Sequence, residues 1–267
     1  MRALIRRVRA VMGCRILVNF RVRPEVLGRW VPRPFRVQMV DGWGMAGICL
    51  IRLEGMRPTW VPGFLGLASE NAAHRIAVEW EDAGERRTGV YILRRDTDSW
   101  VNRWAGGRLF PGVHGSAAFR TSTVDGRIRC AMRSEDGVAE VRVDVEPTAQ
   151  WPENSVWGSL AEASEFFRGG CRGWSTARDG RTLEGTELEP EGWEMTPLRV
   201  HEAFSSFFGN VHEFPRDAVE LDSALLMRGI AHAWTNLGTM GGGTAPRVAG
   251  RRRDHGTHGP SALFRLP

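Results

Sequence analysis

The chain has 267 residues, 42% of them hydrophobic, with a formal net charge of +5 and four cysteines. This is enough apolar material for one sizeable core, yet nowhere does it run to the ~18 consecutive apolar residues of a membrane-spanning helix. All 36 basic residues are arginine. Arginine does not deprotonate under working conditions and does not form a Schiff base, as a desolvated lysine can, so imine chemistry at an internal side chain is excluded.

The first stretch, MRALIRRVRAVMG, is basic and lacks the continuous apolar segment of a secretory signal. Leu4, Ile5, Val8, Val11 and Met12 share one helical face, which predicts a short amphipathic helix packed on the body over residues 1–13. Cys14, Cys49, Cys130 and Cys171 form no CxxC pair, so they read as reduced residues of a cytoplasmic protein rather than a zinc or dithiol site. Arginines are scattered, often beside acids as in EDAGERR, and no RNP-type motif accompanies them. Nucleic acid is therefore not an expected partner, and neither is a membrane.

Arg15 to Val22 alternates as a strand, and Pro24 opens a short helix that Pro32 and Pro34 close. Val37 to Val40 and Trp43 to Leu53 read as strands joined at Asp41-Gly42. Gly55 to Gly66 is a Pro-marked loop carrying aromatics, and it could act as a lid. Glu70 to Trp80 and Thr88 to Arg95 pair antiparallel. The stretch GVYILRRDTDSWVNRWAGGRLFPGVH, Gly89 to His114, starts as a strand, breaks at Arg94-Arg95-Asp96, becomes a helix bearing Trp100, Val101 and Trp104 on one face, and leaves through a Gly/Pro loop. Three strands follow in a meander, turning at Asp125-Gly126 and Asp136-Gly137. Ser159 to Glu162 fits a capping box opening a helix that ends at Gly169-Gly170. Leu198, Val200, Glu202 and Phe204 alternate in one register, and Ala218 to Met227 is the last apolar segment. From residue 240 the composition turns to Gly, Arg and Pro, which reads as a disordered tail over 240–267. The pattern is α+β and β-rich, one antiparallel barrel-like sheet over 14–239 with a few peripheral helices.

RILVNFRVRPEVLGRWVPRPFRV at Arg15 to Val37 resembles the opening of acetoacetate decarboxylase-like proteins. ENAAHRIAVEW, the Gly89 to His114 stretch, EFFRGGCRGWS, SSFF and VELDSALLMRGIAHAW are similar to a branch of that superfamily, the uncharacterised DUF2071 (YqjF-like) family, over roughly residues 12 to 236. Gly173-Trp174-Ser175 stands where such proteins often carry a tyrosine. The resemblance implies a cone-shaped antiparallel β-barrel with an internal cavity. Acetoacetate decarboxylase works through a lysine placed just after the strand that corresponds to Thr88–Arg95. No residue here can replace it, since Arg103 and Arg108 keep the charge without the nucleophilicity.

Glu70, Asn71, Arg94, Arg95, Asp96, Trp100, Arg108 and His114 are the candidate ligand-binding residues, with Glu70 and His114 as candidate acid–base groups. An arginine inside an apolar cavity binds an organic acid bidentately. The competing reading of Arg94, Arg95 and Asp96 is a structural ion pair that fixes barrel closure. Alternation lets only one of Arg94 and Arg95 point inward. His74 shares the face of Glu70 and reads as a core or surface histidine. His255-x-x-His258 is a weak metal signal, so no metal and no cofactor is expected. The functional expectation is a protein that holds a small organic acid or apolar metabolite in its barrel and can form homo-oligomers. The alternatives are a scaffold with a filled barrel and a lysine-independent acid–base enzyme.

Overall fold

The computed structural model describes residues 5–242, and in it fourteen strands join into one sheet that closes on itself twice. Four long strands form a shared wall: β1 (Arg7–Val22), β4 (Trp43–Pro58), β5 (Leu67–Asp82) and β6 (Glu85–Thr97). A smaller ring is completed by β10 (Arg172–Thr176), β11 (Thr182–Pro190) and β14 (Ile230–Gly241), running β6-β10-β11-β14-β1. A larger ring is completed by β7 (Gly115–Val124), β8 (Arg127–Ser134), β9 (Glu140–Pro147), β12 (Thr196–Ser205) and β13 (Val219–Met227). The edge pieces β2 (Arg36–Val37) and β3 (Met39–Val40) pair with β5 and β4. Three short helices, α1 (Pro24–Leu27), α2 (Trp100–Ala105) and α3 (Leu160–Gly169), lie outside the ladders.

The expected single antiparallel sheet is thus two rings on a common wall. Each ring is closed at β6 by a parallel joint of two residue pairs, Gly173↔Val90 and Trp174↔Tyr91 on one side, Asp96↔Gly115 and Thr97↔Ser116 on the other. Local hairpin signals reveal neighbours in sequence. They carry no information about these long-range joints, which is why the second ring is not legible in the pattern.

The amphipathic helix expected over residues 1–13 is overturned where it is described. Residues from Arg7 onward are the first half of β1, which runs unbroken past residue 13. The segment Arg7–Met12 satisfies both periods, but Val8, Ala10 and Met12 are the buried ones and Val11 is exposed. Period 2 prevails because the backbone pairs with β14 and β4 at once. The helix expected from Pro24 ends at Leu27, and a 3-10 turn, Gly28–Trp30, finishes it. The register expected for β12 breaks at a bulge between Val200 and Glu202, so Ala203 rather than Glu202 enters the core. The hairpin at Asp41-Gly42 has positive φ at both residues, 46° and 80°, as a type I′ turn requires. Ser159 caps α3 by accepting from the Glu162 amide. Of the expected tail, residues 243–267 lie outside the described residues, and β14 extends to Gly241.

Residues on the two faces of the shared wall go to different interiors. Ile16, Val18 and Phe20 of β1, Ile48 and Leu50 of β4, and Ile76 of β5 pack into the larger ring. The alternate residues Leu17, Cys49 and Ala77 face the other way, where Phe167 and Ala163 of α3 pack with Met12 and Trp157. That second cluster fills only part of the smaller ring. The remainder is a cavity of about 370 Å³.

Candidate functional site

The cavity draws residues from all seven strands of the smaller ring and from α2 with the loop after it. Its walls are mainly apolar: Ile51, Leu53, Val90, Ile92, Leu188 and Trp234 among others. Its volume falls in the range of ~300–1,000 Å³ typical of small-molecule sites. The barrel filling expected with the scaffold reading is therefore corrected for this ring. Cys49, Ala73 and Gly173 are small residues of its lining and leave space unfilled.

Among the described residues four arginines line this space, Arg15, Arg57, Arg75 and Arg95, and no aspartate or glutamate does. Arg15 donates through Nε to the Cys49 sulfur at 3.4 Å and through Nη1 to the Met227 sulfur at 3.6 Å. Arg57 donates to the Gly55 carbonyl at 2.9 Å. Arg75 is buried, donates through Nη2 to Asn19 Oδ1 at 2.7 Å, and lies over the Phe167 ring at 5.1 Å. Its Nε has no acceptor. Arg95 donates to Ser175 Oγ at 2.5 Å. All these acceptors are neutral. Burial holds Arg75 and Arg95 down to about 10, below the usual guanidinium value but far above neutral pH, so both are charged.

The register explains why these residues converge. Ala73 pairs with Cys49 on one side and Arg95 on the other, and Arg75 is the next residue along on that face of β5. On β6 a bulge opposite His74 and Arg75 inserts one residue, so that Arg95 and then Ile92 and Val90 all reach the cavity despite their parity. Behind Arg95, Gly112 adopts φ 107°. A Cβ there would lie 3.2 Å from the guanidinium, so the close approach favours glycine at this position. The Gly112 amide donates to Glu184 Oε1 at 2.7 Å. Burial raises the Glu184 carboxyl, and this carboxyl favours the charge on Arg95 without lining the cavity.

The cap is held by amides. Ser99 caps α2, and Asn102 on that helix donates to Ser69 Oγ at 3.1 Å and to Asn71 Oδ1 at 3.4 Å. His114 places Nδ1 2.9 Å from the Gly112 carbonyl, which makes Nδ1 the protonated nitrogen of the neutral ring. Burial, with Arg95 nearby, pushes its pKa down to about 3.

Of the residues expected at a site, Asn71, Arg95 and His114 line the cavity together. Glu70 does not: its carboxylate accepts from Arg52 at 2.9 Å on the opposite face of β5. Arg94 and Asp96 also face away. Asp96 is fully buried and takes both hydrogen bonds of the Arg94 fork at 2.7 Å, with Asp136 beside them. This is the ion pair that the structural reading of the triplet describes, next to the β6–β7 joint. Trp100 is exposed, and exposed Arg108 donates to the Trp104 carbonyl. Val101 and Trp104 line the cavity entrance, so the expected helical face is split between entrance and solvent. His74 is in the core of the larger ring against Ser205, with Nδ1 unpartnered. His255 and His258 lie outside the described residues.

Arg15, Arg57, Arg75 and Asn102 are absent from the expected set. For Arg75 a signal exists. Glu70 and Asn71 are neighbours on one strand and face opposite ways, and following the Asn71 face by period 2 passes Ala73 and reaches Arg75.

The sequence matches the profile of DUF2071, described as an uncharacterized conserved protein family, over residues 13–219. No curated protein matches it. Among solved structures, the enduracididine biosynthesis enzyme MppR complexed with pyruvate superposes with a TM-score of 0.56 at 14% identity, over 88% of this chain and 90% of that one. An acetoacetate decarboxylase-like enzyme from Sphingomonas wittichii RW1 gives 0.51 at 12%, over 90% and 92%. Acetoacetate decarboxylase from Legionella pneumophila subsp. pneumophila str. Philadelphia 1 gives 0.54 at 9%, over 88% and 87%. At such identities the likeness shows the fold.

Proposed function

For a chain that belongs to the DUF2071 family and has the acetoacetate decarboxylase-like fold, we propose that the smaller ring binds a small organic acid with an apolar body, without Schiff-base chemistry. The observation that carries this reading is the cavity's charge imbalance: four guanidiniums, no carboxylate, and neutral acceptors for each. Arg75, buried with only neutral partners, is under-compensated, while Arg95 has the Glu184 carboxyl behind it. A carboxylate would supply charge-assisted bonds about twice as strong as neutral ones. Arg75 and Arg95, set diagonally across β5 and β6, are the anion-binding pair, with Arg15 next to them across Cys49. Asn71 and His114 would orient the ligand, and the apolar wall takes its body. The relative MppR was solved with pyruvate, itself a small carboxylate.

The acid–base alternative has less support. Glu70 stands off the cavity, and His114 is too weakly basic at a pKa of about 3 to be poised near neutrality. Thermal-shift titration with carboxylates and their isosteric amides tests the proposal. A ligand at 100 times its Kd adds about 2.7 kcal/mol of stability. Carboxylates should raise the melting temperature, amides should not, and Arg95→Met should abolish the shift. Equal shifts from acid and amide would refute the anion site.

A further inference from the structure

The cavity opens at a rim built from three stretches of chain. Residues 5–13 meet the loop after α2 through the Ile5 amide, which donates to the Leu109 carbonyl at 2.9 Å. Residues 55–67 meet β1 through the Thr59 amide, which donates to the Arg7 carbonyl at 3.3 Å. Residues 99–114 carry α2 and the loop itself. Ile5, Arg57, Pro58, Leu67, Trp104 and Leu109 all line the opening.

This rim has two properties at once. Large apolar side chains stand in the open: Trp60 is 77% and Phe64 85% exposed, with Trp100, Trp104, Leu65 and Leu67 also exposed. Trp60 and Phe64 sit in the 55–67 stretch between Pro58 and Leu67, both of which border the cavity. Trp100 and Trp104 are one helical turn apart and share a face. The three stretches also contain six arginines and no acidic residue. Arg7 pairs with Glu189, and Arg103 reaches Glu135 at 3.6 Å. Among the described residues no ion pair engages Arg6, Arg9, Arg57 or Arg108. Elsewhere arginines alternate with acids, as along β8 and β9, where Arg127 and Arg129 share Asp144.

We propose that this rim docks on an anionic phospholipid bilayer. Tryptophan and phenylalanine suit the boundary between headgroups and acyl chains, and the four rim arginines that no ion pair engages suit a negatively charged leaflet. No helix among the described residues is long and apolar enough to cross a membrane, so the contact is peripheral. From the sequence the amphipathic period over residues 1–13 reads as a helix packed on the body, with contact at a membrane surface as the lesser alternative. The patch is assembled from three separated stretches. A second copy of the chain is a poorer occupant, since a two-fold contact through this rim would set its arginines against one another. The inference stands on the outer surface and does not depend on what the cavity holds.

Sedimentation of the full chain with vesicles tests it. Vesicles of phosphatidylcholine with phosphatidylglycerol, about three to one, should retain the protein at least tenfold more strongly than phosphatidylcholine alone. Trp60→Ser with Phe64→Ser should weaken retention about tenfold at an unchanged melting temperature. Arg6→Gln with Arg9→Gln should reduce the preference for anionic vesicles. Val124→Ser, an exposed apolar site on the β7–β8 turn, should change nothing. The proposal is overturned if neither vesicle retains the chain, or if the aromatic variant binds as the parent does. It is likewise overturned if the aromatic variant converts a dimer to a monomer and vesicle binding is nil, which would make a second copy the occupant.

Discussion

Replacing Arg75 by methionine should make the empty protein more stable while destroying its capacity to hold an acid. Burial holds the Arg75 pKa at about 10, against 12.5 in water. At about 1.4 kcal/mol per pH unit, the drop means that keeping this guanidinium charged in the fold costs about 3 kcal/mol at neutral pH. The sign follows from proton linkage. The folded pKa lies below the unfolded one, so the unfolded chain binds the proton more tightly, and the cost is present in full below pH 10. Methionine removes that cost and still covers the Phe167 ring on which the guanidinium rests at 5.1 Å. The loss is the charge-assisted bond to Asn19 Oδ1 at 2.7 Å, which leaves that buried oxygen without a donor and costs about 2 kcal/mol. Asn19 keeps only the bond that its Nδ2 donates to Ser223 Oγ. The net gain is about 1 kcal/mol, which at about 2–4 °C per kcal/mol raises the melting temperature by roughly 2–4 °C. Calorimetry and guanidinium chloride unfolding would measure it, alongside the carboxylate titration on the same variant. A fall in melting temperature, or retained carboxylate binding, would refute the view of Arg75 as an unpaired charge kept for a ligand.

Three other outcomes follow from the geometry. Burial pushes His74 down to about 3 and His232 to about 4, so the unfolded chain takes up protons first and stability should fall as pH drops from about 6.5 toward 4; His74→Gln should flatten that slope by about one proton in a series of melts, and an unchanged slope would remove His74 as its source. A Cβ at Gly89 would run into the Arg172 carbonyl, so Gly89→Ala should open the β6–β10 joint, raise protease sensitivity around residues 170–176 and weaken ligand binding; a protected joint with normal binding would show that the ring does not need this closure. Borohydride reduction in the presence of acetoacetate should leave every internal side chain unmodified by mass spectrometry, because the chain contains no lysine, and an internal adduct would overturn that argument.

Local chemistry was well displayed in the sequence. Asp-Gly turns, the Ser159 cap and the alternation of β8 and β9 each depend on a few adjacent residues, and the structure places them as the pattern suggests. The site was only half legible. Arg95 and Asn71 could be singled out because they terminate apolar strands, and His114 because it follows a Gly/Pro loop. Arg75 was obscured by its setting between apolar residues. Arg15 and Arg57 come to the cavity through pairings across 30 or more residues, and no local signal reports those. The bulge in β6 reverses parity midway, so extending one face along that strand from the sequence assigns Ile92 to the wrong interior. Bulges are set by the closure of the whole ring.

The common wall of two rings also has a consequence for how such a protein can change. On β1, β4 and β5, Arg15, Cys49, Ile51, Ala73 and Arg75 address the open compartment. Their immediate neighbours Ile16, Ile48, Leu50 and Ile76 address the packed one, as does His74 against Phe207 and Phe208. The cavity lining and the packed core are thereby written in interleaved positions of the same strands. Substitutions on one phase can therefore reshape the cavity while the other phase continues to specify the scaffold.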